Sequence, residues 1–189
     1  MADGFEEVEA VTPIDYLRRA GVEVSMVSIT DDPIVTGRWG EIMLDVDFLL
    51  EELLHENRVA GCEAASLAEG YDAVIIPGGM PGATNIAACE KANELIKEMA
   101  AAGKIVAAIC ASPVIVLAPL GLLNAKRFTC YPGMEENITD ATWCEDRVVT
   151  DGNIITSRAA GTSGEWSIAI IESLVGRETA EKIKVSTLI

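Results

Sequence analysis

The sequence predicts an α/β fold: a doubly wound, mostly parallel sheet with helices on both faces, lacking the usual first strand. Two observations carry the architecture. Short β-like apolar runs alternate with amphipathic helical stretches, the pattern of a parallel sheet covered on both sides. Two of those runs, Ala73-Val74-Ile75-Ile76 and residues 105–109, are apolar throughout, as strands buried on both faces must be. A third observation concerns the start. A doubly wound domain opens with a buried strand that leads into its first loop. This chain opens inside that loop, at Ala2-Asp3-Gly4-Phe5. Either an internal Met stands at the start, or another segment fills the first-strand slot.

The elements follow in order. Residues 6–20 read as a helix, with Val8, Val11, Ile14 and Leu17 near helical spacing and Gly21 as its C′ residue. Residues 22–29 read as a strand. Ile34-Val35 and Ile42-Met43-Leu44 suit a hairpin around Gly37 and Gly40. Residues 48–56 form a short acidic helix. The strand at 73–76 ends in Pro77-Gly78-Gly79, and a helix over 90–102 stops at Gly103. The strand at 105–109 runs into Cys110, with a helix over 113–117. Residues 128–130 form a strand. Residues 147–150 and 154–156 pair around Asp151-Gly152. Helices over 163–174 and 178–183 close the chain.

Length and composition suit one domain over 1–189, with 50% apolar residues. No apolar run reaches the length of a membrane helix. The first residues carry neither a basic region nor an apolar stretch, so a soluble, cytoplasmic protein is expected. Thirty acids against fourteen bases give a net charge of −16, which disfavours nucleic acid and anionic membrane as partners. The five cysteines, at 62, 89, 110, 130 and 144, form no C-x-x-C, which argues against a disulfide framework and a zinc site. No metal or other cofactor is expected. His55 is the sole histidine.

Four segments carry candidate chemistry. In Ala107-Ala108-Ile109-Cys110-Ala111-Ser112-Pro113 a small-residue strand runs into a cysteine and then a helix with proline in its first turn, the geometry of a nucleophile elbow. Such a turn exposes the side chain, and the helix N-terminus is expected to lower the thiol pKa. The competing reading is a buried core thiol. Pro77-Gly78-Gly79-Met80-Pro81-Gly82 lets backbone N–H groups approach a ligand oxygen, and with the Ala111 N–H would form an oxyanion hole; the plainer reading is an ordinary glycine turn. Asp3 through Glu9 clusters acids at a helix start, where the dipole alone favours them; if Glu9 points at Cys110, its carboxyl would exchange a proton with the thiol. Thr156 through Ser163 opens a helix with Arg158 at the junction, which suits an anion, an interface or a plain capped helix start.

In this order the segments resemble the ThiJ/PfpI superfamily of the class I glutamine amidotransferase-like, flavodoxin-like fold. The resemblance is strongest to its Parkinson-disease-protein branch of glyoxalase-type enzymes and protein and nucleotide deglycases. It rests on Asp3 to Ala10, Thr12-Pro13-Ile14-Asp15, Arg18-Arg19-Ala20-Gly21, residues 71–79, 107–113 and 155–163. It implies Cys110 as an oxidisable nucleophile, Glu9 as its carboxylic-acid partner, and Gly79 and Ala111 as backbone donors. Gly78, Tyr131, Arg38 and Arg158 are implied near the substrate pocket or a dimer contact. The implied function is a cofactor-independent cysteine enzyme acting on α-oxoaldehydes or their adducts on proteins and nucleotides; the alternative is an oxidative-stress sensor or holdase working through Cys110 oxidation. A small aldehyde or glycated adduct as substrate and a homodimer are implied too. The chain departs from the family pattern at the missing first strand, at Tyr131 where some relatives carry histidine, and in a longer 47–60 segment that contains His55. Ala111 stands where peptidase-like relatives carry histidine, which disfavours a peptidase, and glutamine amidotransferase chemistry wants a Cys–His–Glu triad.

Overall fold

The structure, a computed structural model, describes residues 1–55 and 67–189, together with the backbone of Glu56, Arg58–Val59 and Cys62–Glu63. The end of the 47–60 segment, at 57 and 60, and the side chain of Cys62 lie outside the described residues.

The chain begins with helix α1 (Glu7–Arg19) and strand β1 (Val27–Ser28), then a hairpin of β2 (Ile34–Thr36) and β3 (Met43–Asp45). β4 (Phe48–Leu49) leads into α2 (Leu50–Glu56). A short pair, β5 (Arg58–Val59) and β6 (Cys62–Glu63), precedes α3 (Leu67–Gly70). β7 (Ala73–Ile76), α4 (Gly82–Ala88), α5 (Glu90–Ala101) and β8 (Ile105–Ile109) follow. After β8 the residues Pro113–Leu117 form a π-helical turn, with Ala118 N–H donating to the Pro113 carbonyl at 3.0 Å. β9 (Arg127–Phe128) pairs with β10 (Thr142–Trp143). β11 (Val148–Asp151) and β12 (Ile154–Ser157) lead to α6 (Ser163–Val175) and α7 (Arg177–Thr187).

The central sheet has the order β11-β12-β8-β7; β12, β8 and β7 run parallel and β11 is antiparallel at one edge. β8 is the spine. Its residues alternate between two cores, as the two-residue period of a strand requires. Val106 and Ala108 pack with Ile96, Met99 and Leu117 on one side; Ala107 and Ile109 pack with Leu17, Trp166 and Ile170 on the other. All four β8 residues are fully buried, which is why the run is apolar without interruption. The small alanines bring β8 close to its covering helices, and that close packing fixes the end of the strand, where Cys110 stands.

The structure departs from the sequence expectations at several elements, the first of them Phe48–Leu49, expected as the start of a helix and found as strand β4. The strand expected over 22–29 contracts to β1, which pairs with β4 rather than with the central sheet. Residues 22–26 have no ladder partner. Their polar groups are met by side chains instead: Arg18 donates to the Val24 carbonyl at 3.1 Å, and Asp47 accepts from the Met26 N–H at 2.7 Å. The helix expected over 113–117 is π rather than α. Helix α4 was not foreseen, because Gly82 and Asn85 are weak helix formers. Gly82 is there because a side chain would strike the backbone of Gly4 and Phe5 at 2.8–2.9 Å. Among the described residues, no strand pairs with the free edge of β7, and the first-strand slot holds a cavity of about 470 Å³.

Candidate functional site

Cys110 follows β8 directly and has a φ of 64°. This left-handed conformation costs a non-glycine residue about 1–2 kcal/mol and persists only where its surroundings impose it. Here they do. The Cys110 N–H donates to the Ser157 carbonyl at 3.0 Å, and its carbonyl accepts from Tyr131 N–H at 2.8 Å. Ser112, next but one along the elbow, donates its hydroxyl to the Pro77 carbonyl at 2.7 Å. The cysteine turn and the glycine turn are thus bonded together at the ends of adjacent parallel strands.

The same glycine turn is locked to α1. Glu6 N–H donates to the Gly78 carbonyl at 3.0 Å, and Gly78 N–H donates to Glu9 Oε2 at 2.9 Å. The Glu6 carboxylate caps α1 by accepting from Glu9 N–H at 2.8 Å. No larger residue fits at the turn. A Cβ on Gly78 would lie 2.5 Å from Glu9 Oε2 and 2.7 Å from Cys110 Cβ. One on Gly79, where φ is 91°, would lie 2.4 Å from Glu6 N. Glycine lets the carboxyl of α1 reach the thiol across the strand ends.

The site brings together Glu9, Gly78, Gly79, Cys110 and Ala111. Glu9 is buried, at 1% exposure, and its carboxyl lies beside the Cys110 thiol, close enough for each group to shift the other's titration. Backbone N–H groups of Ala111 and Gly79 also face the sulfur. Burial, then the Glu6 charge, pushes Glu9 up to about 7, against the Cys110 and Gly78 hydrogen bonds and the more distant Arg38. Burial and the Glu9 carboxylate push Cys110 up to about 12, with the Ala111 and Gly79 donors acting in the opposite sense. This corrects the expectation of a thiol pKa lowered by its turn. The backbone donors do favour a thiolate, but burial beside a carboxylate outweighs them. The arrangement is a coupled acid pair, in which an ionised Glu9 is the base nearest the thiol.

The remaining expected residues stand further out. Tyr131 is 50% exposed and touches the elbow through its backbone. Arg38 is exposed, lies over the Trp39 ring at 4.8 Å, and contributes a weak attraction to Glu9. Arg158 donates to the Glu145 carbonyl at 3.1 Å, and its charge is felt at Cys130. His55 is exposed on α2, 3.9 Å from Glu51 of the same helix. Sequence reasoning missed Glu6, which orients Glu9, and Ser112, which joins the two turns. Glu6 sits at a cap position where Ser, Thr, Asp and Asn are the usual signals. Cys89, Cys110, Cys130 and Cys144 are free, and among the described residues no His, Cys, Asp and Glu cluster could hold a metal. No helix of the described residues is long and apolar enough to cross a membrane.

Comparison with known proteins agrees with this fold. The Parkinson disease protein 7 homolog of Danio rerio is 34% identical over 188 residues, covering 97% of this chain and 92% of that protein. The glutathione-independent glyoxalase DJR-1.2 of Caenorhabditis elegans is 30% identical over 94% of this chain and 87% of its own length. Protein DJ-1 homolog B of Arabidopsis thaliana is 38% identical over the whole chain. The chain spans only about two fifths of that relative's length, 40%. Among solved structures, Toxoplasma gondii DJ-1 in oxidised form superposes with a TM-score of 0.88 at 36% identity, over 99% of this chain and 94% of that one. The profile of the DJ-1/PfpI family matches residues 1–173. The chain belongs to the DJ-1/PfpI family.

Proposed function

We propose that this protein is a cofactor-independent glyoxalase or deglycase, with Cys110 as nucleophile and Glu9 as proton shuttle. The observation that carries the reading is the buried Glu9 carboxyl set beside the Cys110 thiol, where the N–H groups of Gly79 and Ala111 favour negative charge on sulfur. As sulfur attacks the aldehyde carbon of an α-oxoaldehyde, Glu9 takes the thiol proton, so a free thiolate need not accumulate. The carbonyl oxygen becomes an oxyanion facing the N–H groups of Gly79 and Ala111. Glu9 returns that proton to the oxyanion, giving the hemithioacetal, then takes the proton of the former aldehyde carbon and delivers it to the neighbouring carbon, while the hydroxyl proton passes to the neighbouring oxygen; the product is a thioester of a 2-hydroxy acid. Water hydrolyses the thioester and returns the thiol. No external oxidant or reductant is needed, because one carbon is oxidised as its neighbour is reduced. An acid held near pH 7 is well matched to taking and returning protons. The glyoxalase name of the Caenorhabditis relative supports the reading. Lactate formation from methylglyoxal by wild type and by Cys110→Ala tests it: equal rates would remove Cys110 from the reaction.

A second reading rests on a separate observation. Cys110 is half-buried, unlike the fully buried Cys130. The donors suited to an oxyanion would equally hold the oxygens of a sulfinate, so the thiol would serve as an oxidation sensor or redox-controlled holdase. The oxidised form named for the Toxoplasma structure supports it. Limited peroxide followed by peptide mapping separates the readings: a sensor oxidises first at Cys110. The proposal extends to a single-domain homodimer located in the cytoplasm; light scattering tests the assembly.

A further inference from the structure

The two N–H donors beside the Cys110 sulfur, those of Gly79 and Ala111, belong to different helix starts. The Gly79 carbonyl accepts from Ala83 N–H at 2.8 Å, which ties its turn to α4. The Ala111 carbonyl accepts from Ile115 N–H at 2.9 Å, which ties its turn to the π-helical residues Pro113–Leu117. Donors on separate elements converge on one atom only while those elements keep their spacing. The β7–β8 ladder does not reach them, since its last pair is Ile76 with Ala108. The bonds that impose the Cys110 backbone run elsewhere, to Ser157 and Tyr131.

Among the described residues, one hydrogen bond beyond the ladder joins the two turns. It is the 2.7 Å bond from the Ser112 hydroxyl to the Pro77 carbonyl. Ser112 stands just before the helix, where a serine side chain ordinarily accepts from a backbone N–H of the first turn. Here it makes no such cap. Its hydroxyl leaves the N–H groups of its own helix and crosses to the end of the neighbouring strand. Ser112 is fully buried, so the hydroxyl meets neither solvent nor a substrate in the pocket. Water cannot compete for the bond, and the Pro77 carbonyl loses this partner if the hydroxyl is removed.

We propose that Ser112 is a positioning residue: its hydroxyl sets the spacing of the Gly79 and Ala111 donors, and so their grip on negative charge at sulfur and at the substrate oxygen. The proposal rests on the reading of Cys110 as nucleophile and of these two N–H groups as the oxyanion donors. Ala111 is directly before Ser112, and Gly79 is two residues after Pro77. The bond therefore links the two donors by a short path.

The test compares wild type with Ser112→Ala. Methylglyoxal kcat should fall by about tenfold or more while KM stays within about twofold, because the hydroxyl acts on donor placement and touches no substrate. Alkylation of Cys110 by iodoacetamide at about pH 9, followed by peptide mapping, should slow by about threefold or more, since displaced donors favour the thiolate less. A chain that is merely destabilised exposes Cys110 and is alkylated faster, so the direction separates positioning from stability. Ser112→Cys keeps a weaker donor of similar size and should fall between the two in both rates. The alkylation arm needs no turnover: a wild type that is alkylated at Cys110 but leaves methylglyoxal unchanged removes the enzyme reading, and the alkylation comparison still decides the role of Ser112. Faster or unchanged alkylation in Ser112→Ala, or a turnover loss confined to KM, would overturn the proposal.

Discussion

Among the described residues two cysteines, Cys110 and Cys130, are each set beside a carboxylate, and the contrast between them shows what a reactive site requires beyond its two residues. Cys110 faces Glu9, and Cys130 lies 3.8 Å from Glu135 Oε2. In each pair burial and the neighbouring carboxylate push the thiol up to about 12. The surroundings differ. Cys110 has the left-handed backbone of a strand-to-helix turn, is half-buried, and has the N–H groups of Ala111 and Gly79 directed at its sulfur. Cys130 is fully buried and directs its thiol at the Tyr131 carbonyl at 3.4 Å, a second acceptor. Acceptors hold a thiol protonated; donors stabilise the anion that chemistry creates. Only the first pair has backbone N–H donors to support charge on sulfur or on an oxygen bonded to it; at the second, the Arg158 charge acts in that sense against burial and Glu135.

That contrast can be broken in order of effect. Cys110→Ala should reduce methylglyoxal turnover to background, while Cys130→Ala should retain it within about threefold, since its thiol lies outside the reacting set. A comparable loss in both variants would erase the distinction. Glu9→Gln should lower turnover by about 10²–10⁴-fold, the usual worth of a positioned acid–base group. Gly79→Ala places a methyl against Glu6 N at 2.4 Å and forces a left-handed alanine, so it should both destabilise the fold and displace an oxyanion donor. A turnover loss of about tenfold or more under conditions where the variant is shown to be folded is expected.

The pH dependence of stability gives a smaller effect with a definite sign. Glu9 is raised in the folded protein to about 7, from 4.5. A carboxyl raised by folding contributes stability that is fully present below pH 4.5 and is lost as the pH rises through 7. The difference corresponds to about 3 kcal/mol. Denaturant unfolding should therefore show wild type losing stability relative to Glu9→Gln between these limits. Parallel curves would mean that Glu9 is not held protonated by burial.

Much of this was legible in the sequence, and the failures have physical causes. The β8 run and the Pro77-Gly78-Gly79 turn were readable because burial on both faces and close backbone approach each restrict composition to a few residue types. The Glu9–Cys110 pairing came from the order of motifs across the chain, since no local pattern links residues so far apart. The 22–29 strand contracts because a strand needs a neighbour along its length, and apolar spacing cannot show that residues 22–26 lack a ladder partner. The thiol pKa was misjudged for a similar reason: the elbow's donors are local and visible, whereas the burial that opposes them is set by the whole fold. Glu6 and Ser112 act through single hydrogen bonds that carry no periodic signature.

The central claim is that Glu9 restrains the Cys110 thiol at rest and serves as its base during reaction. One variant tests both halves at once. In Glu9→Gln the carboxylate charge that raises the Cys110 pKa is gone, so alkylation of Cys110 by iodoacetamide at about pH 8 should be faster than in wild type. Methylglyoxal turnover in the same preparation should be slower, because the base is gone. Opposite changes are the predicted result. If alkylation and turnover fall together, or if turnover survives the loss of the carboxyl, the account is contradicted.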